Sequence, residues 1–127
     1  MAPRNVDRLR RVYAEWARGN FRAGGELFAD EIVFVPAVDA PPESGREAVA
    51  AYMRDFLSQW DEFTVSAEEF VDGGETVLVT ERQTGTGRES GAVTEMVFYA
   101  AWSFRDGEVV RVRWLTDRAE ATAAIED

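Results

Sequence analysis

Proton transfer in this chain has to run on carboxylates and phenols. There is no histidine and no cysteine among its 127 residues, and the Lys+Arg count of 14 is made up entirely of arginine. That composition removes the imidazole base, the thiolate nucleophile, the Schiff-base amine and the common zinc ligand sets together. Among the acids, Glu81 is the one whose position suggests chemistry. A hairpin through Asp72-Gly-Gly74 that sets Val71 opposite Glu75 and Ala67 opposite Val79 brings Glu81 opposite Val65, on the apolar side of the strand, with Val79 and Met96 nearby. Desolvation there disfavours the charged carboxylate and raises its pKa toward the range useful for an acid or base. A one-residue bulge would instead turn Glu81 out to solvent, where strand carboxylates ordinarily sit. The two readings differ only in register.

Bulk and its interruption mark a second region. In Met96-Val-Phe-Tyr-Ala-Ala-Trp-Ser-Phe104, alternate residues Met96, Phe98, Trp102 and Phe104 share one face, and Ala100 breaks the row. A small residue there reads as the floor of a pocket. Tyr13, Trp16, Phe34, Tyr52, Phe56, Phe98, Trp102 and Trp114 either form an ordinary core or converge on a cavity that offers stacking and hydrogen bonds to a flat apolar ligand. Tyr13, Trp16, Tyr52, Trp102 and Trp114 are the strongest lining candidates. Gly85 to Gly91 is glycine-rich but joins two strands, whereas a phosphate cradle needs a helix N-terminus or a comparable nest of amides. It reads as a hairpin tip. The remaining acids show no metal-ligand spacing, so neither a metal nor a cofactor is expected.

The elements that must position these residues follow from periodicity. Asn5 can cap a helix with Val6, Leu9, Tyr13 and Trp16 at helical spacing, stopped by Gly19. A short second helix is predicted over 21–28 and a brief strand over 32–35, after which Pro36, Pro41 and Pro42 force a loop. Ser44-Gly-Arg-Glu47 reads as a capping box opening a helix that buries Val49, Tyr52, Met53 and Phe56. The period then changes to two, predicting strands over 63–71, 75–84, 92–104 and 108–116, joined as consecutive antiparallel hairpins. Asp117 and Glu120 cap a short Ala-rich last helix. The Arg105-Asp-Gly107 loop is read as three residues long, because a two-residue turn would set Arg111 and Arg113 beside Trp102 and Ala100 and bury guanidiniums without partners. Helices first and a meander afterwards give an α+β layout: a cone-like, curved, mixed or antiparallel sheet against about three helices, with a short C-terminal helix.

Size and charge bound the partners. A chain of this length reads as one domain, spanning 1–127. A formal net charge of −10 opposes binding to nucleic acid or an anionic membrane surface. No apolar run approaches the roughly 20 residues that span a bilayer, and no leader pattern opens the chain, so a soluble, cytoplasmic protein is expected. The arginine-only, alanine-rich usage suggests a GC-rich bacterial genome. The mixed, small-residue face carrying Val97, Tyr99, Ala101, Ser103, Val109, Arg111, Arg113 and Leu115 suits sheet-on-sheet contact, which predicts a homodimer through the outer face of the sheet.

The opening "VDRLRRVYAEWARGNFRAGGELFADEIVFVP", the segment "SGREAVAAYMRDF" and the closing "AAWSFRDGEVVRVRWLTDRAEA" together resemble the SnoaL-like branch of the nuclear transport factor 2-like superfamily. The resemblance covers nearly the whole chain. It implies a curved sheet closed by three helices around a pocket, frequent homodimerisation, and activities ranging from ketosteroid isomerases and polyketide cyclases to proteins that only bind. Ungapped matching to ketosteroid isomerases puts Pro36 where the base lies and Ala100 where the oxyanion-hole Asp lies, a place where SnoaL-like relatives often carry His. Asp39 is the nearest carboxylate to the vacated base position and reaches the pocket mouth only if its loop folds inward. Tyr13 matches the tyrosine donor on the first helix. Asp117 falls near the acid that ends the last strand in SnoaL-type cyclases, in competition with its role as a helix cap. Two functions follow: a cofactor-free isomerase, cyclase or hydrolase acting on a lipophilic polyketide- or steroid-like substrate, with Glu81 as acid or base, Asp39 as second choice and Tyr13 or Tyr52 donating to a developing oxyanion, or a non-catalytic module that shelters a lipophilic ligand or stabilises a partner.

Overall fold

The computed structural model describes residues 4–37 and 39–126. Along the chain come α1 (Asn5–Ala17), a 3-10 turn (Gly25–Leu27), β1 (Phe28–Val35), β2 (Glu43–Ser44), α2 (Arg46–Ser58), β3 (Trp60–Asp72), β4 (Thr76–Gly87), β5 (Val93–Arg105), β6 (Glu108–Leu115) and α3 (Arg118–Glu126). The six strands form one open mixed sheet in the order β2-β1-β6-β5-β4-β3. Only β1 and β6 run parallel. The result is the α+β cone-like architecture expected, with α1 and α2 on the concave face.

α1 buries Val6, Leu9, Val12 and Tyr13. Its end is a Schellman arrangement, in which Gly19 at φ 88° donates to the Trp16 carbonyl (2.9 Å) and Asn20 donates to that of Glu15 (3.0 Å). Its start differs from expectation. Asn5 is the first helical residue, and its side chain donates to the Gly74 carbonyl at 3.0 Å and accepts from Arg8 at 2.9 Å, so it ties the helix to the β3–β4 turn and caps nothing.

Two predicted helix features give way to strand pairing. Instead of a helix over 21–28, Gly24 in the left-handed region (φ 98°) leaves a single 3-10 turn, and β1 begins at Phe28. Ser44 is no capping residue, because β2 pairs with β1 through Val33 opposite Ser44 and the Gly45 amide donates to the Ile32 carbonyl at 2.7 Å. Gly45, at φ 94°, becomes the N-cap. Asp117 does cap α3, accepting from the Ala119 amide at 2.8 Å.

Register carries the rest. The β5–β6 turn has two residues, Asp106 (φ 54°) and Gly107 (φ 81°), between paired Arg105 and Glu108, and not the three expected. A bulge after Phe104 opposite Val109 then skips Val110, so that Ser103 faces Arg111, Trp102 faces Val112 and Ala100 faces Trp114. The shorter turn therefore buries no guanidinium, because the bulge restores apolar partners. The same bulge turns Val109 inward to full burial, removing it from the outer face on which it was expected. In β3, a bulge at Glu68 makes Ala67, and not Val65, the partner of Glu81.

The two faces have separate cores. The concave one gathers α1, α2 and the inward residues of β1 and β3–β6. The convex one is a small cluster in which Ala121 and Ala124 of α3 cover Leu78, Ala101 and Leu115. α3 therefore lies on the opposite side of the sheet from the other helices, over part of the surface expected to meet a second copy.

Candidate functional site

Alternate residues of β4 build the site. Val77, Val79, Glu81, Gln83 and Gly85 all point to the concave side and are buried. Glu81 is 2% exposed, between Ala67 on β3 and Phe98 on β5, which confirms the inward orientation with different neighbours from those expected. From α1, the Tyr13 hydroxyl donates to Glu81 Oε2 and accepts from the Trp102 indole N–H at 3.0 Å. Gln83 Nε2 donates to Glu81 Oε1 at 2.8 Å. Each carboxylate oxygen thus has one partner and retains one lone pair.

Burial raises the Glu81 pKa above the ordinary 4.5, while the hydrogen bonds from Tyr13 and Gln83 pull it back. Tyr13 is driven well above the ordinary 10.0, first by burial, then by the Glu81 charge and the bond to it, with Trp102 opposing. The phenol therefore keeps its proton and serves as a donor. Glu81 is the group able to change protonation state, and Tyr13, Gln83 and Trp102 hold it in place. Among the described residues, two side-chain polar atoms on this side are buried without a partner, Gln83 Oε1 and Trp60 Nε1.

Aromatic rings surround the network. Tyr13 meets Trp16, Phe70 and Trp102 with centroids 4.9, 5.7 and 6.0 Å apart. A second group centres on Trp114, which stacks on Phe98 at 5.5 Å and meets Phe34 and Phe56 edge-on at 4.9 and 5.5 Å. Tyr52 contacts Phe34 at 5.2 Å; partial burial, with Glu43 and Asp55 nearby, raises its pKa. The predicted lining residues do converge, but they pack chiefly on one another. Trp102, Phe34, Trp114 and Ala100 are buried, whereas Trp16, Tyr52, Phe56, Met96 and Phe98 are half-buried. Met96 stands opposite Gln83, and the Trp16 indole is already bonded to the Ala23 carbonyl at 2.9 Å. Asp39 is exposed on the loop after β1 and takes no part in the Glu81 network.

Sequence reasoning missed Gln83, Trp60, Phe63 and Phe70. Gln83 was within reach, since the period-two row that places Glu81 inward places its neighbour two residues on beside it. Gly85 continues the row. A Cβ there would sit 2.5 Å from Trp60 Cε3, so the missing side chain is the space the indole occupies.

Two concavities lie on the convex face, flanking α3. One, of about 320 Å³, includes Val35, Arg111, Arg113 and Leu115, and the other, of about 150 Å³, lies by Leu78, Tyr99 and Ile125. Among the described residues, no acidic cluster is placed to hold a metal ion, and no helix is long and apolar enough to cross a membrane.

The model of the SnoaL-like domain matches residues 9–112. The chain belongs to the SnoaL-like domain family. Solved structures similar to this SnoaL-like protein include an NTF2-like protein of unknown function from Burkholderia pseudomallei, 20% identical, covering 99% of this chain and 100% of that one with a TM-score of 0.79. A proposed SnoaL-like polyketide cyclase from Jannaschia is 21% identical over 98% and 95% of the two chains, with a TM-score of 0.77. TerC, co-crystallised with polyporic acid, is 15% identical over 97% and 98%, with a TM-score of 0.75. At these identities the likeness shows the fold alone. No curated protein sequence matches this SnoaL-like chain.

Proposed function

We propose that this SnoaL-like protein is a cofactor-free acid–base enzyme that takes a lipophilic polyketide- or steroid-like molecule on the concave side of its sheet. Glu81 moves the proton, and Tyr13, whose single O–H is donated to Glu81 Oε2, positions that carboxyl for the transfer. One observation carries the reading: a fully buried carboxylate with a raised pKa, clamped by a phenol and a carboxamide inside an aromatic shell. The similarity to a protein co-crystallised with polyporic acid and to a proposed polyketide cyclase is in keeping with it. Access runs past α2, which fully buries one residue, Val49, where α1 buries four. The half-buried rings of Tyr52 and Phe56 move with it, away from Phe98 on β5. The protein works as a single-domain cytoplasmic homodimer, through the part of the convex face that α3 leaves free around Val97, which is 38% exposed. A single monomer mass by sedimentation at micromolar concentration would contradict the dimer.

A second reading, a non-catalytic module that binds a ligand or stabilises a partner, is favoured by one observation: both oxygens of Glu81 are already engaged within the protein. The Glu81→Gln variant separates the two. The probe is 2-tetralone in deuterated water, with exchange at its activated methylene followed by proton NMR. The enzyme reading expects catalysed exchange in the wild type, its loss in Glu81→Gln with binding of the ketone retained, and no change in Asp39→Asn. Binding without catalysed exchange in the wild type supports the module.

A further inference from the structure

The inward row of β4 carries polarity further than the reaction requires. From the Trp102 indole, hydrogen bonds run through Tyr13 to Glu81 and on to Gln83, where they stop at an unpaired Oε1. The next residue on the row is Gly85, and against its backbone lies the Trp60 indole with its own N–H unpaired and buried. Two strand residues cover about 7 Å, so Gln83 and the Gly85 backbone that Trp60 abuts through Cε3, Cδ2 and Cζ3 are neighbouring steps of one row. A buried polar atom left unpaired destabilises the fold, so the pair is costly to keep unless something meets it.

We infer that the ligand's polar group is a phenolic or enolic hydroxyl, which donates to Gln83 Oε1 and accepts from Trp60 Nε1. The inference rests on the proposed concave-side ligand site and adds the chemical class of what enters it. A ketone or ether oxygen accepts only and leaves Gln83 Oε1 unpaired. An ammonium donates only and leaves Trp60 Nε1 unpaired. A carboxylate donates nothing and would lie one step along the row from Glu81, where like charge repels it. The orientation of the carboxamide is set by its neighbour, because Nε2 must face the Glu81 carboxylate and Oε1 must therefore face away. A planar hydroxylated ring also suits the walls, since Phe56 and Phe63 lie 6.1 and 6.0 Å from the Trp60 ring, centroid to centroid.

The test compares three probes of one shape on the full chain by ¹⁹F NMR titration: 4-fluorophenol, which donates and accepts, 4-fluoroanisole, which only accepts, and fluorobenzene, which does neither. The phenol is expected to bind the wild type roughly tenfold or more tightly than either analogue, the factor one well-placed hydrogen bond supplies. Gln83→Leu and Trp60→Phe should each erase most of that preference while still binding the rings, with folding checked by near-ultraviolet circular dichroism. Should either variant fail to fold, the wild-type ranking decides alone. Equal binding of the three probes, or a phenol preference untouched in both folded variants, overturns the hydroxyl assignment and leaves the ligand site standing. If none of the probes binds, the concave-side site falls with it.

Discussion

Replacing Tyr13 with phenylalanine removes one oxygen atom from the middle of a buried network and leaves the ring contacts with Trp16, Phe70 and Trp102 in place. Two bonds disappear with it, the donation to Glu81 and the acceptance from Trp102. A hydrogen bond to a charged partner contributes about 1.5–3 kcal/mol, and a buried donor left unpaired costs about 1–3 kcal/mol. The carboxyl can evade part of the loss by taking up a proton, so the expected destabilisation is about 3 kcal/mol, short of the plain sum. Its pH dependence is the sharper test. Burial raises the folded pKa of Glu81, so the native state holds the proton more tightly than the unfolded chain, and stability falls as pH rises from 4.5 through the folded value. Tyr13 restrains that shift by favouring the charged form, so removing it widens the window. The cost of Tyr13→Phe should therefore be smaller near about pH 5 than near about pH 8. Urea unfolding of wild type and variant at both pH values gives the two differences. An equal cost at both, or a cost below about 0.5 kcal/mol, would refute the claim that this phenol supports a buried carboxylate.

Three further outcomes are expected. Glu81→Gln should flatten the fall in stability between about pH 5 and about pH 8; a urea-derived stability profile parallel to that of the wild type would put the pH dependence on other groups. Gly85→Ala drives a methyl group into the Trp60 ring at 2.5 Å, and should lower stability by about 1–3 kcal/mol with a changed near-ultraviolet dichroism spectrum. An unaltered melting temperature and spectrum would show that the indole is not held there. Asp117→Ala removes the α3 cap, costs about 1 kcal/mol and loosens the cover over Leu78, Ala101 and Leu115. Dye binding to newly exposed apolar surface reads that loosening, and no increase in binding would show that the cap does not hold α3 down.

Element types and the inward side of Glu81 were legible because period-two and helical patterns depend on local order alone. What misled was pairing between distant segments. Ser44 looks like a helix cap until β1 claims its backbone for a strand, and the stretch after Phe21 looks helical until Gly24 turns the chain left-handed. The β5–β6 turn shows the same limit. Keeping guanidiniums away from Trp102 and Ala100 was the right constraint, but it was met by a bulge that skips Val110, and a bulge leaves no composition signal of its own. The Glu81–Tyr13 bond joins residues 68 positions apart, so the sequence could nominate both partners without showing that they touch. Gln83 was overlooked for a simpler reason, since an uncharged amide gives no electrostatic hint even on a row already known to face inward.

The parallel seam between β1 and β6 joins residues 28–35 to residues 109–113. A ribosome-bound chain has no partner for β1 on that edge until residues 109–113 have been made, and the entropy of closing so long a loop delays the step further. Assembly must therefore begin in the meander from β3 to β6, whose strands pair with their neighbours in sequence. Until that surface exists, Val6, Leu9 and Tyr13 on the first helix lack most of the core that buries them. α1 and β1 precede the meander in the chain yet are completed after it, and that interval is when the domain is most exposed to aggregation and to chaperone capture.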